Sequence, residues 1–164
     1  MKTTMKSRIF LSIAALVLTV WFAIPAAAQH GVPFKGTFQG SDAVNPPTII
    51  TSGSGVGTHM GQFSFSQDNT LTSQTTGGGT AHWEAADGDS IDSTYTASAD
   101  FSTHSLGYIA ITEIHTVTGG TGRFMEAHGN FVMEYTHIVA PSSDGTHVIF
   151  GSFHGTITSP GTAN

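Results

Sequence analysis

Residues 115–137, HTVTGGTGRFMEAHGNFVMEYTH, constrain the fold more than any other stretch. His115 and Val117 on one side, and Phe131, Met133 and Tyr135 on the other, recur at a period of two, with Asn130, Val132 and Glu134 on the opposite face, which is the pattern of strands rather than helices. Between them stands Gly119-Gly120-Thr121-Gly122, where three glycines in four positions admit the positive φ angles of a turn. The stretch therefore predicts an antiparallel hairpin that turns at Gly119 to Gly122.

The same period recurs along the chain. Residues 34–40 read as a first strand, and 58–66 as the next, with His59, Gly61, Phe63 and Phe65 on one face. In 80–86, Ala81, Trp83 and Ala85 alternate with His82 and Glu84, and Asp87-Gly88-Asp89 turns the chain into 90–97, where Ile91 and Tyr95 share a face. Residues 106–118, 122–124 leading into 129–138, and 147–158 complete the set. Ser41 to Gly57, with Pro46-Pro47 and Gly53, Gly55 and Gly57, predicts a long loop, either a lid or a plain insertion. A polar connection ending at Gly77-Gly78-Gly79 precedes the Trp83 strand. No window has helical periodicity, so no helix is expected after residue 28. Seven or eight strands joined by glycine-rich turns suit a sandwich or a barrel, and closure removes exposed edges. The expected fold is all-β, an antiparallel, eight-stranded closed barrel.

Lys2, Lys6 and Arg8 precede the apolar run Ile9 to Ile24, and Ala26-Ala27-Ala28 supplies small residues for cleavage, so residues 1–28 read as a signal peptide. Ser12 and Thr19 interrupt a run shorter than the roughly 20 apolar residues of a membrane span. Residues 29–164 then form one barrel domain, secreted or periplasmic. Three of the five basic residues lie in the signal, leaving Lys35 and Arg123 against all eleven acidic residues, a balance that disfavours nucleic acid and anionic membrane as partners. Cysteine is absent, so burial must stabilise the fold without disulfides. Only 10% of residues are charged and 20 are glycine, a balance that can signal disorder; eleven phenylalanines and the regular alternation argue for packed strands.

Residues 118–129, TGGTGRFMEAHG, resemble the Gly-Gly-Thr-Gly-basic-Phe-x-x-Ala-x-Gly signature of the allene oxide cyclase and dirigent-like barrels, including small secreted bacterial relatives. GTHMGQF from Gly57 and GTAHWEAADGDSI from Gly79 add weaker similarity. The resemblance implies an eight-stranded antiparallel barrel with an internal cavity for a hydrophobic molecule, and a homo-oligomer, a trimer in plant members. It also implies that Gly119, Gly120, Gly122, Arg123, Phe124 and Gly129 are structural positions of the turn. His128 stands where the dirigent pattern commonly carries an arginine.

The nine histidines lack the spacing of a zinc motif, and neither a metal nor a cofactor is expected. Arg123 reads as a structural tie across the hairpin, with Glu126 three residues on. The sharper signal is Glu113 and His115, two apart and therefore on one strand face, shared with Ile109, Ile111 and Val117. Burial disfavours an ionised carboxylate and a nearby imidazolium favours it, so such a pair can be tuned for general acid or base work; the alternative is a solvated or mutually satisfied pair. Ile109, Ile111, Phe131 and Tyr135 are the candidate ligand-binding positions. Three functions fit: a barrel holding a small hydrophobic molecule, a cyclase or isomerase using Glu113 and His115, or a structural barrel filled with its own side chains.

Overall fold

A computed structural model describes residues 31–158, and the expected signal peptide at 1–28 lies outside the described residues. Eight strands follow in order: β1 (Gly31–Asn45), β2 (Thr48–Gly57), β3 (Gly61–Leu71), β4 (Thr76–Ala85), β5 (Ser90–Asp100), β6 (Tyr108–Gly120), β7 (Gly129–Ile138) and β8 (His147–Thr158). Each pairs antiparallel with its neighbour in sequence, and β1 pairs with β8 to close the barrel. Closure leaves no edge strand to recruit another chain.

Two expectations about local structure are overturned. The predicted loop at 41–57 is the end of β1 and all of β2, joined by a two-residue turn at Pro46-Pro47, since Asn45 pairs directly with Thr48. Proline needs no ladder donor at a turn, and the β2 glycines alternate in register with large rings: Gly53 faces Phe65 and Gly55 faces Phe63 on β3. Gly77, Gly78 and Gly79 likewise lie inside β4, where Gly79 pairs with Tyr95. Around the barrel the same pairing recurs, with Phe38 between Gly55 and Gly151, and Gly155 between Phe34 and Phe131. Alternating large and small residues fill the narrow interior of a small barrel. These glycines hold ring space, and local sequence reads them as flexibility.

The interior is built around Trp83, which is fully buried and stands 5.1 to 5.5 Å, centroid to centroid, from Phe63, Phe65, Phe131 and Phe153. Offset and edge-on contacts of this kind add about 0.5–1.5 kcal/mol per pair to area burial. Glu84 and His82 alternate with Trp83 and point to solvent, as the period of two requires.

The β6–β7 connection is longer than a tight hairpin. Residues Gly122–Phe124 form a 3₁₀ turn, and a second 3₁₀ segment, Phe101–Leu106, joins β5 to β6, so the expectation of no helix is corrected by these two short pieces. Phe124 turns inward, fully buried, and joins the core cluster at this end of the barrel. Gly119, Gly122 and Gly129 hold positive φ (149°, 56° and 144°), whereas Gly120 is required by close approach to the Ser90 carbonyl. Arg123 does tie turns together, but its partners are Asp87, Asp89 at 2.8 Å and the His59 carbonyl at 3.1 Å, in place of Glu126. The 3₁₀ turn aims the guanidinium back over the Phe124 ring towards the β4–β5 turn. Gly122→Val should cost about 1–3 kcal/mol in urea unfolding, because a side chain there meets the left-handed backbone and the Asp89 carboxylate together. A loss under about 0.5 kcal/mol would show that the turn tolerates a side chain there.

Candidate functional site

The odd-numbered positions of β6 from Ile109 to Val117 face the barrel interior. Glu113 and His115 are therefore both sealed inside, at 1% and 0% exposure. His115 is sandwiched between rings, 4.4 Å from Phe131 and 4.8 Å from Tyr95, its two cross-strand neighbours. Its Nε2 lies 3.0 Å from Glu113 Oε2 and its Nδ1 lies 3.0 Å from Ser93 Oγ. The Glu113 carboxylate also accepts from Gln67 Nε2 at Oε2 and from the Tyr135 hydroxyl at Oε1, both at 2.9 Å. An ionised carboxylate only accepts, so His115 Nε2 carries hydrogen and one carboxylate satisfies three buried donors. The pair is thus mutually satisfied and, contrary to the solvated alternative, internal.

Serine, imidazole and carboxylate stand here in hydrogen-bonded series, but Ser93 is 2% exposed and lies outside the lining of the cavity at the barrel mouth. Burial, followed by the charge of Glu113, raises both Tyr95 and Tyr135 well above the ordinary tyrosine value. A raised folded-state value leaves its stability in place below the unfolded value and removes it above, so stability should fall as pH climbs past about 10. Urea midpoints at neutral and strongly alkaline pH test this, and equal midpoints would contradict it.

Above this network the barrel opens. At the end carrying the β1–β2, β3–β4 and β5–β6 connections, a cavity of about 180 Å³ is walled by Val44, Ile49, Leu71, Ile109 and Ile111. Tyr135 separates it from the sealed network, presenting its ring to the cavity and its hydroxyl to Glu113. Of the four candidate ligand-binding positions, Ile109, Ile111 and Tyr135 line the cavity. Phe131 does not: four residues deeper on β7 than Tyr135, it belongs to the Trp83 cluster. The interior is therefore packed around Trp83, with a cavity at one mouth.

Three polar residues of the cavity escaped sequence reading. Asp42 lay in the stretch read as a loop, although its spacing from Phe34 and Phe38 places it on their inward face. Its Oδ1 accepts from Thr51 Oγ1 at 2.6 Å, and its Oδ2 lies 2.8 Å from His137 Nδ1. His137 shares the inward face of Phe131, Met133 and Tyr135, a parity that could have singled it out from the nine histidines. It stacks on His147 at 4.8 Å. Asn69, from β3, completes the polar set, accepting the Gly78 N–H at Oδ1 over 3.0 Å.

No protein-family model matches the sequence, and no curated protein matches it. Among solved structures the chain is similar to a pterocarpan synthase dirigent protein, at 11% identity and a TM-score of 0.48, over 82% of this chain and 88% of that one.

Proposed function

We propose that this protein is an exported barrel that holds one small, largely apolar molecule in the cavity at its mouth, as the allene oxide cyclase and dirigent-like resemblance implies. The observation that carries the reading is the cavity itself: apolar walls, a volume of about 180 Å³, and a few convergent polar groups at Asp42, Asn69, Tyr135 and His137. Pockets that bind small molecules combine such walls with sparse orienting groups. A purely structural barrel would have no reason to leave its mouth open above a tightly packed Trp83 cluster. The cyclase or isomerase reading through Glu113 and His115 requires substrate to reach a carboxylate that lies behind Tyr135, which makes carriage the better supported function of these two.

The test is a thermal-shift and calorimetric screen with small cyclic ketones and terpenoid alcohols. A binder at a hundredfold excess over its Kd should stabilise the protein by about 2.7 kcal/mol, a rise of several degrees in Tm. Ala97 borders the cavity, and Ala97→Phe should fill it and abolish the shift while leaving the fold intact. A ligand shift that survives Ala97→Phe would place binding elsewhere, and a wide screen without a shift would sink the reading.

A further inference from the structure

We propose that the barrel mouth is also a catalytic site, in which His137 is a general base, Asp42 its positioning residue, and the substrate a small α,β-unsaturated ketone whose oxygen is held by Asn69. The proposal rests on the binding reading above and assigns it a substrate class and a chemistry.

Hydrogen-bond partners dictate where the hydrogen atoms of this site lie. Asp42 is 3% exposed, and its carboxylate can only accept, so the 2.8 Å contact to His137 Nδ1 places the hydrogen on Nδ1. In a neutral ring that leaves Nε2 with a lone pair, and Nε2 makes no hydrogen bond among the described residues. Thr51 Oγ1 occupies the other carboxylate oxygen at 2.6 Å and prevents rotation. A carboxylate that orients an imidazole in this way prepares its far nitrogen as a base.

Asn69 is set by the same logic with opposite polarity. Its Oδ1 accepts a backbone N–H, from Gly78 at 3.0 Å, which only the oxygen of the amide can do. Its Nδ2 is consequently the free end, a donor on the cavity wall of a residue that is 7% exposed. Asn69 is on β3 and His137 on β7, four strands apart in a closed ring of eight, so donor and acceptor stand on opposite walls of one cavity. A molecule that satisfies both spans the mouth, with an oxygen acceptor at one end, an acidic hydrogen at the other, and carbon against the isoleucines between them.

An enone has this layout, because its γ C–H is made acidic by a carbonyl oxygen several bonds away. His137 Nε2 takes the γ proton, the C–H electron pair moves through the conjugated system, and the negative charge arrives on the oxygen hydrogen-bonded by Asn69 Nδ2. The imidazolium then returns a proton to the γ carbon, giving exchange, or to the α carbon, giving the shifted double bond. Atoms and electrons balance without an oxidant or cofactor. The apolar walls strengthen the oxyanion contact by lowering the local dielectric, and the Asp42 carboxylate beside Nδ1 offsets the cost of charging the imidazole there.

The test uses isophorone, a cyclic enone, with the full-length protein in heavy water. Calorimetry reads binding, and proton NMR reads deuterium entering the γ positions. Wild type should bind isophorone and exchange it faster than buffer does. His137→Gln should lower the exchange rate by about a hundredfold or more, the usual share of a general base. Its effect on Kd should stay within about tenfold, or 1.4 kcal/mol. Asp42→Asn should also suppress exchange, because its amide donates to Nδ1 and moves the ring hydrogen to Nε2. Nitrogen NMR of His137 reads that tautomer change directly, which a merely structural Asp42 would not produce. Binding without exchange above the buffer rate overturns the catalytic proposal and leaves the binding reading standing. Failure of isophorone and of the whole ketone screen to bind overturns both.

Discussion

Gly155→Val is expected to remove more than about 4 kcal/mol of stability, a loss in the exceptional range for one substitution. Gly155 faces inward between Phe34 on β1 and Phe131 on β7. A β-carbon built there stands 2.5 Å from Phe131 Cα and 2.6 Å from its Cβ, and also strikes the Asn130 carbonyl. Two of these atoms are ladder backbone and the third is fixed directly to it, so none can retreat unless β7 and β8 separate. With total stabilities of about 5–15 kcal/mol, a loss of this size leaves little folded protein at modest urea concentrations. Gly88→Ala is the informative contrast, since Gly88 sits in the β4–β5 turn with positive φ and nothing near its missing side chain. It should show only backbone strain, about 1–3 kcal/mol. If urea unfolding gave Gly155→Val less than about 1 kcal/mol, glycine would not be holding space for the rings.

Glu113→Leu should destabilise by about 3–5 kcal/mol, the range for a buried polar cluster that loses its central partner. Leucine leaves the amide of Gln67, the ring nitrogen of His115 and the hydroxyl of Tyr135 all facing an apolar side chain. Glu113→Gln should be much milder. Its carbonyl oxygen can accept from Gln67 and His115 together, and its NH2 can donate to the Tyr135 oxygen once that hydroxyl turns, because a phenol both donates and accepts. Adding Gln67→Leu, His115→Phe, Tyr135→Phe and Ser93→Ala to Glu113→Leu should recover most of the loss, as happens when a whole buried polar set is replaced by apolar groups of similar shape. Denaturant midpoints of these variants test the scheme. Equal losses for leucine and glutamine would mean that charge, rather than the count of unmatched donors, sets the stability of this site.

The resemblance carried by residues 118–129 pointed to the barrel before any coordinates, and the barrel is what closes. Its finer assignment to turn residues divides instructively. Phe124 and Arg123 are indeed at the β6–β7 connection, yet one is buried in the core and the other binds acids more than thirty positions earlier.

Period-two alternation by itself determined that the chain is made of strands, placed β8 at His147 to Thr158, put Trp83 on a face opposite His82 and Glu84, and joined Glu113 to His115 on one face. These are local facts, because side-chain direction in a strand follows from parity alone. Parity cannot say which face is inside, and only closure of β1 on β8 turned the Ile109 to Val117 face inward. Closure also decided the glycines. Gly53, Gly55 and Gly77 to Gly79 read locally as breakers, but the aromatic rings of neighbouring strands make their missing side chains a packing requirement. The candidate site was least legible of all. Asp42 and His137 are 95 positions apart, and Asn69 stands on the opposite wall, so their hydrogen-bond polarity exists only once the ring of strands sets them around one cavity.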